Sequence, residues 1–283
     1  MVLADRGETL PAHCLRPRPV ERVWGRRRLP PGFPRGPDPD AAIGEIWYEG
    51  PEGAELLVKY LFTSERLSIQ VHPGDDDARA LGLPRGKDEA WYVIEAEPDA
   101  VIGIGLTHEV PREALRAAAL DGGIERLLDW RPVRAGDILY SPAGTIHAIG
   151  GGIALIEIQQ NLDLTYRLYD YGRPRELHLD EAIAVADPGP WIPPFIPEER
   201  GGGRTILAAG GAFVVERWRL GGPARALGDL LAIPLAPGGA VNGTSLAPGS
   251  VWAIAGDARI EGGDLLVAYP GANVRGAALE LCA

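Results

Sequence analysis

Gly136-Asp-Ile-Leu-Tyr-Ser-Pro-Ala-Gly-Thr-Ile-His147 is the stretch of sequence that decides the fold. A run of strand length comes first, and Pro142 and Gly144 then mark a tight turn. The histidine that follows the turn can face the interior of a barrel. Taken alone, the stretch fits any strand–turn–strand unit, so its meaning depends on what the rest of the chain places beside His147.

Similar short apolar stretches recur along the chain, each bounded by Gly, Pro or Asp. Their length and β-branched content predict strands, and their close spacing favours a sandwich or a barrel. The 38 glycines and 26 prolines favour many tight turns over long helices. The predicted strands are residues 55–62, 67–72, 90–95, 153–158, 213–218, 250–254 and 265–268.

Helix-forming residues are concentrated in a short insertion near residues 111–129 and in one later segment. The predicted helices are residues 111–120, 124–129 and 179–186, and Asp180 is available to cap the last of them. Residues 188–203 are rich in proline and then in glycine, which predicts a linker. We therefore expect a mainly β protein with a larger domain at residues 1–190 and a smaller β domain at residues 204–283.

The composition excludes several classes of protein. The chain has 283 residues and a formal net charge of −11, which argues against general affinity for nucleic acid or anionic membranes. No apolar stretch has the length of a membrane span or of a signal peptide, and Cys14 and Cys282 make no disulfide framework. We expect a cytoplasmic protein, monomeric or homodimeric, whose partner is a small molecule.

Three segments carry side chains that can bind a metal ion. Gln70 and His72 are two residues apart on a predicted strand, so they point to the same face. Glu89 follows Lys87 at the same spacing, and His147 ends the stretch quoted above. Two imidazoles, one carboxylate and one amide oxygen suit a divalent ion such as zinc, while manganese, iron and cobalt stay open on chemistry alone.

Each of these side chains also has a structural interpretation. A single histidine on a strand is more often a hydrogen-bonded core residue than a metal ligand, and Glu89 alone could be a surface charge. The joint occurrence of the segments within one predicted domain favours a metal site. Of the five histidines, His13, His108 and His178 lie in no comparable setting, and we assign them structural roles.

Residues 136–147 match the second cupin motif, G-x5-P-x-G-x2-H, position for position. Gln70, His72 and Glu89 resemble a variant of the first cupin motif in which Gln replaces one His. Four further stretches complete the likeness: residues 15–17, 23–25, 44–47 and 165–173. From about residue 15 to residue 179, the chain resembles the type I mannose-6-phosphate isomerases of the short bacterial form.

The resemblance implies a cupin (jelly-roll) barrel as the catalytic domain at residues 1–190 and a degenerate, metal-free β domain at residues 204–283. It implies one zinc ion per chain with four ligands: Gln70, His72, Glu89 and His147. It implies three catalytic residues, Arg167, Lys87 and Glu157, and two residues that bind a sugar phosphate, Ser68 and Arg173. For Ser68 and Arg173, a place on the surface is the alternative.

By the same resemblance, the reaction is the interconversion of mannose 6-phosphate and fructose 6-phosphate through an enediol. Such an isomerisation needs a group that moves a proton between C1 and C2, and positive charge beside the developing oxyanion. Arg167 can stabilise the enediolate, and Lys87 can assist ring opening or anchor a hydroxyl. Glu157 is either the base or a hydrogen-bond acceptor for a ligand or for Arg167.

One position departs from the family pattern. Relatives commonly have Asn-Ser-Asp where this chain has Asn161-Leu162-Asp163, so the loop lacks a hydroxyl that would bind substrate polar groups. Three alternative functions stay open: another sugar-phosphate isomerase of the metallocupin type, a cupin oxygenase, and a non-catalytic sugar-phosphate-binding or regulatory cupin. The Gln ligand and the Lys87–Glu89 pair weigh against the oxygenase.

Overall fold

Antiparallel strands dominate the computed structural model, which describes residues 12–282, and the prediction of a mainly β protein is confirmed. The strands are β1 (Ala12–Cys14), β2 (Pro17–Arg26), β3 (Ile43–Tyr48), β4 (Leu56–Phe62), β5 (Ile69–Val71), β6 (Glu89–Ala96), β7 (Val101–Leu106), β8 (Leu128–Pro132), β9 (Ile138–Ser141), β10 (His147–Ile149), β11 (Ile153–Gln160), β12 (Tyr166–Tyr169), β13 (Glu198–Gly201), β14 (Arg204–Ala209), β15 (Phe213–Ala226), β16 (Leu230–Pro234), β17 (Gly239–Val241), β18 (Thr244–Leu246), β19 (Trp252–Ile254), β20 (Ala258–Pro270) and β21 (Leu279–Leu281). The helices are α1 (Asp75–Ala80), α2 (Arg112–Asp121), α3 (Ile124–Leu127) and α4 (Leu179–Val185).

Two antiparallel sheets face each other in the N-terminal part of the chain and form the predicted jelly roll. The first sheet has the strand order β2-β3-β4-β11-β6-β9, and the second has the order β12-β5-β10-β7-β8. Apolar side chains of both sheets fill the space between them, among them Trp91 and Leu155 from the first sheet and Ile102 and Ile104 from the second. A cleft opens between the same two sheets.

Strands β4 and β11 are buried along their whole length. Because successive side chains of a strand point to opposite faces, the buried residues of β11 divide into two sets. Leu155 packs inside the jelly roll. Ile156 lies outside it, in a common core with Val215 and Leu266 of the C-terminal part. The first sheet is therefore a wall shared by the cleft on one side and the C-terminal sheet on the other.

The C-terminal part forms one large antiparallel sheet with the order β1-β19-β16-β20-β15-β14-β13, extended by β17, β18 and β21. Two strands of this sheet lie outside the residues 204–283 that we predicted for the smaller domain: β1 lies within residues 1–190, and β13 lies between the two predicted domains. β1 pairs with β19 rather than with the N-terminal sheets. β13 lies within the predicted linker at 188–203, because the glycines at 201–203 have positive φ angles and turn the chain into a hairpin with β14.

The insertion near residues 111–129 is helical as predicted, and α2 and α3 pack on the second sheet. α3 ends two residues before its predicted end, because Leu128 has an extended backbone and begins β8. Asp180 does not cap α4, since it pairs with Arg116 of α2 while His178 is the N-cap residue. α1 was not predicted, because six residues are too few to show helical periodicity. Among residues 12–282, no helix has the length and apolarity that crossing a membrane requires.

Candidate metal centre and cleft

Two rows of side chains, one on each sheet, face each other across the cleft. On the second sheet, the row crosses β12, β5 and β10 and consists of Arg167, Gln70 and His147, which lie opposite one another in the strand register. On the first sheet, the row crosses β3, β4 and β11 and consists of Trp47, Lys59 and Glu157. Residues opposite one another on neighbouring antiparallel strands share a face of the sheet, so the register alone brings each row together.

His72, Glu89 and His147 form a buried group of potential metal ligands, with exposed fractions of 2%, 1% and 2%. Their ligand atoms all lie within 4.8 Å of one another. His72 Nε2 is 3.2 Å from Glu89 Oε1, and His147 Nε2 is 3.5 Å from Glu89 Oε2. Neighbouring ligand atoms around a tetrahedral zinc ion are about 3.3 Å apart, so the spacing fits such an ion.

Both histidines are held in the orientation that a metal ligand needs. His72 Nδ1 is 2.8 Å from the carbonyl oxygen of Leu164, and His147 Nδ1 is 2.9 Å from that of Thr145. A proton on each Nδ1 donates to these carbonyls and leaves each Nε2 lone pair facing the carboxylate. Burial, reinforced by the charge of Lys87, lowers the pKa of His72 to about 4 and also lowers the pKa of His147. Both imidazoles are therefore neutral near pH 7, which is the form that binds metals.

Glu89 completes the group as an anion. Burial alone would raise its pKa, but Lys87 and the two histidines outweigh burial and hold the pKa of Glu89 well below its usual range. Lys87 Nζ forms an ion pair with Glu89 Oε1 at 2.8 Å, yet no hydrogen bond of good geometry from residues 12–282 reaches that oxygen. Lys87 supplies a single positive charge to this carboxylate, while Glu89 and the two neutral imidazoles each offer one donor atom to an ion. The residues present therefore fit a divalent metal ion.

Gln70 lies beside the ligand group and presents its amide nitrogen to it. Gln70 Nε2 is 3.3 Å from His147 Nε2 and 3.5 Å from His72 Nε2, while Gln70 Oε1 accepts a hydrogen bond from Ser68 Oγ at 3.0 Å. Rotation of the amide by half a turn would bring its oxygen toward the histidines. The fourth ligand therefore stays a prediction.

A second buried ion pair lies next to the ligand group. Lys59 Nζ donates to Glu157 Oε1 at 3.0 Å, and Trp91 Nε1 donates to Glu157 Oε2 at 3.2 Å. Burial raises the pKa of Glu157, and the nearby carboxylates Glu89 and Glu45 raise it further against the opposing charge of Lys59. A carboxyl whose pKa is moved toward neutrality is suited to accept and release a proton.

Both lysines of the chain lie in this interior, and each is only 4% exposed. Against their two positive charges stand three buried carboxylates that line the cleft: Glu45, Glu89 and Glu157. Arg22 pairs with Glu45 at 2.8 Å, so Arg22 and the two lysines balance the three carboxylates. A divalent cation would add two positive charges to this balance, which favours the binding of an anion.

The cleft has a volume of about 610 Å³, which is ordinary for a small-molecule site. Arg22, Arg167 and Arg175 line it together. Burial lowers the pKa of Arg167, and the charges of Arg175 and Arg22 lower it further, so the three guanidinium groups are close enough to repel one another. Such a cluster of planar donors suits a phosphate group.

Eight of the nine predicted site residues meet at this cleft. They are Gln70, His72, Glu89, His147, Lys87, Arg167, Glu157 and Ser68. Arg173 lies outside the lining: besides its contact with Asp170, its guanidinium donates to Glu65 and to the carbonyl oxygen of Arg66. Arg175 lines the cleft instead. This placement gives no support to the prediction that Arg173 binds the phosphate.

His178, to which we assigned a structural role, lines the cleft as well. Its Nδ1 accepts a hydrogen bond from the backbone N–H of Arg167 at 3.2 Å. In the loop that departs from the family pattern, the carbonyl oxygen of Leu162 accepts a hydrogen bond from Gln159 Nε2 at 2.9 Å, and the Leu162 side chain is buried. The loop contributes Asp163 to the lining, so the loss of a hydroxyl at position 162 does not remove the loop from the site.

Several lining residues were not predicted, among them Lys59, Glu45, Trp47, Arg22, Asp163 and Arg175. Lys59 did carry a signal, because it is one of only two lysines and interrupts a predicted apolar strand. Arg22 and Arg175 carried none. They are two of many arginines, and only the tertiary fold brings their distant segments together.

Comparison with known proteins agrees with this geometry. The chain is 39% identical over 177 residues to the mannose-6-phosphate isomerase of Streptococcus mutans serotype c, a match that covers 59% of this chain and 55% of that protein. It is 36% identical over 217 residues to the Bacillus subtilis protein named "Putative mannose-6-phosphate isomerase YvyI", and the match covers 69% of this chain and 67% of that protein. The chain thus spans about half the length of the first relative and two thirds of the second. No protein-family model matches the chain.

A solved structure of a mannose 6-phosphate isomerase has the same fold as this chain. The crystal structure of the mannose 6-phosphate isomerase from Bacillus subtilis superposes with a TM-score of 0.78 at 29% identity. The superposition covers 90% of this chain and 98% of that one, so it includes the C-terminal sheet as well as the jelly roll. Sequence identity to YvyI and the shared fold together place the chain: it belongs to the mannose-6-phosphate isomerase family.

Proposed function

We propose that the protein is a metal-dependent aldose–ketose isomerase that interconverts mannose 6-phosphate and fructose 6-phosphate through an enediol. The observation that carries the proposal is the meeting, in one cleft, of the buried His72–Glu89–His147 group with two buried lysines and a cluster of arginines. A ligand group alone would suit many cupins. The arginines add affinity for a phosphate ester, and the lysine–carboxylate pairs add groups that move protons.

Zinc is the ion that we assign to the site. Two neutral imidazoles and a carboxylate are a donor set of catalytic zinc centres, which keep a further position for water or substrate. When bound, zinc would polarise the substrate oxygens and favour their anionic forms. His72, Glu89 and His147 would hold the ion, and Gln70 would add its amide oxygen. Ser68 Oγ lies 3.0 Å from the amide atom of Gln70 that faces away from the histidines. With the amide turned so that its oxygen reaches the ion, Ser68 would accept a hydrogen bond from Gln70 Nε2 and hold that orientation.

Two side chains share the proton movements of the reaction. From aldose to ketose, Glu157 takes the proton from C2 and returns it at C1, while the electron pair of the broken C2–H bond forms the enediol double bond. Lys87 donates a proton to O1 and accepts the one that leaves O2, so atoms and charges balance over the step. Lys59, hydrogen-bonded to Glu157, keeps the carboxylate form available despite burial.

The three arginines of the cleft have different roles, which follow from their positions. Arg167 lies opposite Gln70 in the strand register and lines the cleft, and we assign its charge to stabilising the enediolate. Arg22 and Arg175 bind the phosphate. Arg175 is itself oriented by a bidentate pair with Asp170, at 2.6 and 2.7 Å. His178 keeps the backbone of Arg167 in place.

The decisive experiment combines metal analysis and assay on one sample. Purified protein should contain about one zinc ion per chain and form fructose 6-phosphate from mannose 6-phosphate. A chelator should remove metal and activity together, and added zinc should restore both. Metal-loaded protein that leaves mannose 6-phosphate unchanged would sink the proposal.

The same sample separates the remaining alternatives. Turnover of glucose 6-phosphate in preference to mannose 6-phosphate would indicate another sugar-phosphate isomerase. Tight binding of fructose 6-phosphate without turnover would indicate a non-catalytic binding or regulatory cupin, the alternative that Leu162 favours. A location in the cytoplasm and a monomeric or homodimeric state stay predictions of the sequence.

A further inference from the structure

We propose that Tyr140 is a positioning residue through which the C-terminal sheet fixes the segment that carries Lys87 and Glu89. The inference rests on the proposed metal centre, but the residues that carry it lie outside the ligand group. Tyr140 is on β9 and is 3% exposed. Neither the motifs of the sequence nor the proposed chemistry makes use of its side chain.

The hydroxyl of Tyr140 holds the residue that directly precedes Glu89. Tyr140 Oη donates a hydrogen bond to Asp88 Oδ2 at 2.7 Å. The second oxygen, Asp88 Oδ1, accepts the backbone N–H of Ala143 at 2.8 Å. Asp88 thereby ties the metal-binding segment to the turn of the second cupin motif.

That turn is itself hydrogen-bonded to the other two proposed ligand residues, His72 and His147. The N–H of Gly144 donates to the carbonyl oxygen of His72 at 2.9 Å, and the carbonyl oxygen of Thr145 lies 2.9 Å from His147 Nδ1. Residues 143, 144 and 145 of the turn thus hydrogen-bond, one after another, to Asp88, His72 and His147. We therefore expect a displacement of Asp88 to shift this turn and, with it, the positions of His72 and His147.

The ring of Tyr140 is held from the C-terminal sheet. It packs on the ring of Phe213, with centroids 4.9 Å apart. A Cβ atom at position 210 would lie 2.0 Å from Tyr140 Cζ and 2.3 Å from Tyr140 Oη, so the ring lies directly on the backbone of Gly210. At the adjacent Gly211, a Cβ atom would meet no described atom within 4 Å. The turn between β14 and β15 thus contacts Tyr140 through one glycine and leaves the next one free.

These contacts give the C-terminal sheet a function, although no ligand of the proposed centre comes from it. We expect a methyl group added at position 210 to displace the Tyr140 ring, which also packs on Phe213, and a displaced ring carries its hydroxyl away from Asp88. Loss of a hydrogen-bonding partner directly behind a metal ligand typically weakens metal binding 10- to 100-fold. Tyr140 acts one step further away, through Asp88, so we expect the lower end of this range. We therefore expect a substitution in the C-terminal sheet to weaken zinc binding.

The experiment compares Tyr140→Phe and Gly210→Ala with the control Gly211→Ala. Zinc affinity is measured by competition with a chelator, and amide hydrogen exchange of residues 84–90 is measured in the metal-free protein. We expect both test variants to bind zinc about 10-fold more weakly than the wild type and to exchange faster over residues 84–90. Gly211→Ala should match the wild type in both measurements. Tyr140→Phe keeps the ring and answers the question even if Gly210→Ala does not fold.

Unchanged zinc affinity and exchange in Tyr140→Phe, with only a lowered melting temperature, would mean that Tyr140 is a packing residue and would overturn the inference. An equal loss in Gly211→Ala would overturn it too, since the effect would then not pass through the ring. A wild type that binds no zinc would refute the proposed metal centre. The exchange data would still decide whether Tyr140 fixes residues 84–90.

Discussion

Arg167 stands opposite Gln70 across one pair of strands and contacts none of the three ligands directly. We therefore expect Arg167→Ala to lower kcat by about 10²- to 10³-fold, the usual effect of removing one group that stabilises an oxyanion. The zinc content should stay that of the wild type. Steady-state kinetics and metal analysis of the same preparation measure both quantities.

Arg173 provides the matched control for this prediction. It belongs to the same segment and carries the same charge, but it donates to Glu65 and to the carbonyl oxygen of Arg66 and does not line the cleft. Arg173→Ala should keep a kcat close to the wild-type value. Equal losses of kcat in both variants would mean that the charge of the whole segment matters and that Arg167 has no special place.

His72 makes the stability of the metal-free protein depend on pH. Its pKa is about 4 in the folded protein, against about 6.5 for an unperturbed histidine, so between these values the unfolded chain binds more protons. The free energy of unfolding therefore falls as the pH falls, and the contribution of His72 amounts to about 3 kcal/mol between pH 7 and pH 4. Urea unfolding at several pH values should reveal this loss in the wild type.

His72→Gln removes the titrating group and keeps a side chain of similar size. Its unfolding free energy should decline less steeply between pH 6.5 and pH 4 than that of the wild type. Parallel curves for the two proteins would show that the imidazole is not buried in its neutral form, which would also weaken its assignment as a ligand.

At the scale of elements, the turn that joins β9 to β10 is where backbone conformation and ligand geometry meet. Gly144 has a φ of 84°, and a Cβ atom there would lie 3.2 Å from the carbonyl oxygen of Val185. Gly144→Ala should cost about 1–2 kcal/mol of stability, because a side chain disfavours the left-handed conformation. It should also weaken zinc binding, because the contact with Val185 would shift the backbone N–H at position 144, which donates to the carbonyl oxygen of His72. Urea unfolding and chelator competition measure the two effects.

The first glycine of the same motif is the control. Gly136 has a φ of 95°, and a Cβ atom there would meet no described atom within 4 Å. Gly136→Ala should therefore lose stability for the same conformational reason but keep the zinc affinity of the wild type. A similar drop in zinc affinity for both variants would contradict the role of the Gly144 hydrogen bond.

The elements that could be predicted from sequence are those whose signals are local. Residues 136–147 and the strand around Gln70 and His72 carry their pattern in a few consecutive positions, so the sequence predicts that His72 and His147 face one interior. That they bind a metal ion stays a prediction. Arg175 and Arg173 are indistinguishable on that basis, because Asp170 binds both of them and only the contacts of Arg173 with Glu65 and the carbonyl oxygen of Arg66 separate the two. β13 could not be predicted either, since its partner strand and not its own composition makes it a strand.

At the scale of the whole molecule, the two β units share a core. Ile156 and Ile158 of the jelly roll lie in one apolar cluster with Phe213 and Ile233 of the C-terminal sheet, and all four are almost completely buried. Separating the two β units would expose these side chains to water, at a cost of roughly 25 cal/mol for each Å² of apolar surface. The prediction of separate domains at residues 1–190 and 204–283 therefore has to allow for a common core, and we expect the units to unfold together.

Ile233→Ala tests this expectation. Ile233 is fully buried in the shared cluster, so its truncation should lower the free energy of unfolding by about 2–4 kcal/mol. Hydrogen exchange should show the same loss of protection in β11 as in β16, because one cooperative unit opens as a whole. Ile196→Ala, at a position that is 81% exposed, should leave protection unchanged in both strands. If protection fell in β16 alone, the jelly roll would be independently stable, and the C-terminal sheet would act on the metal centre only locally, through Tyr140.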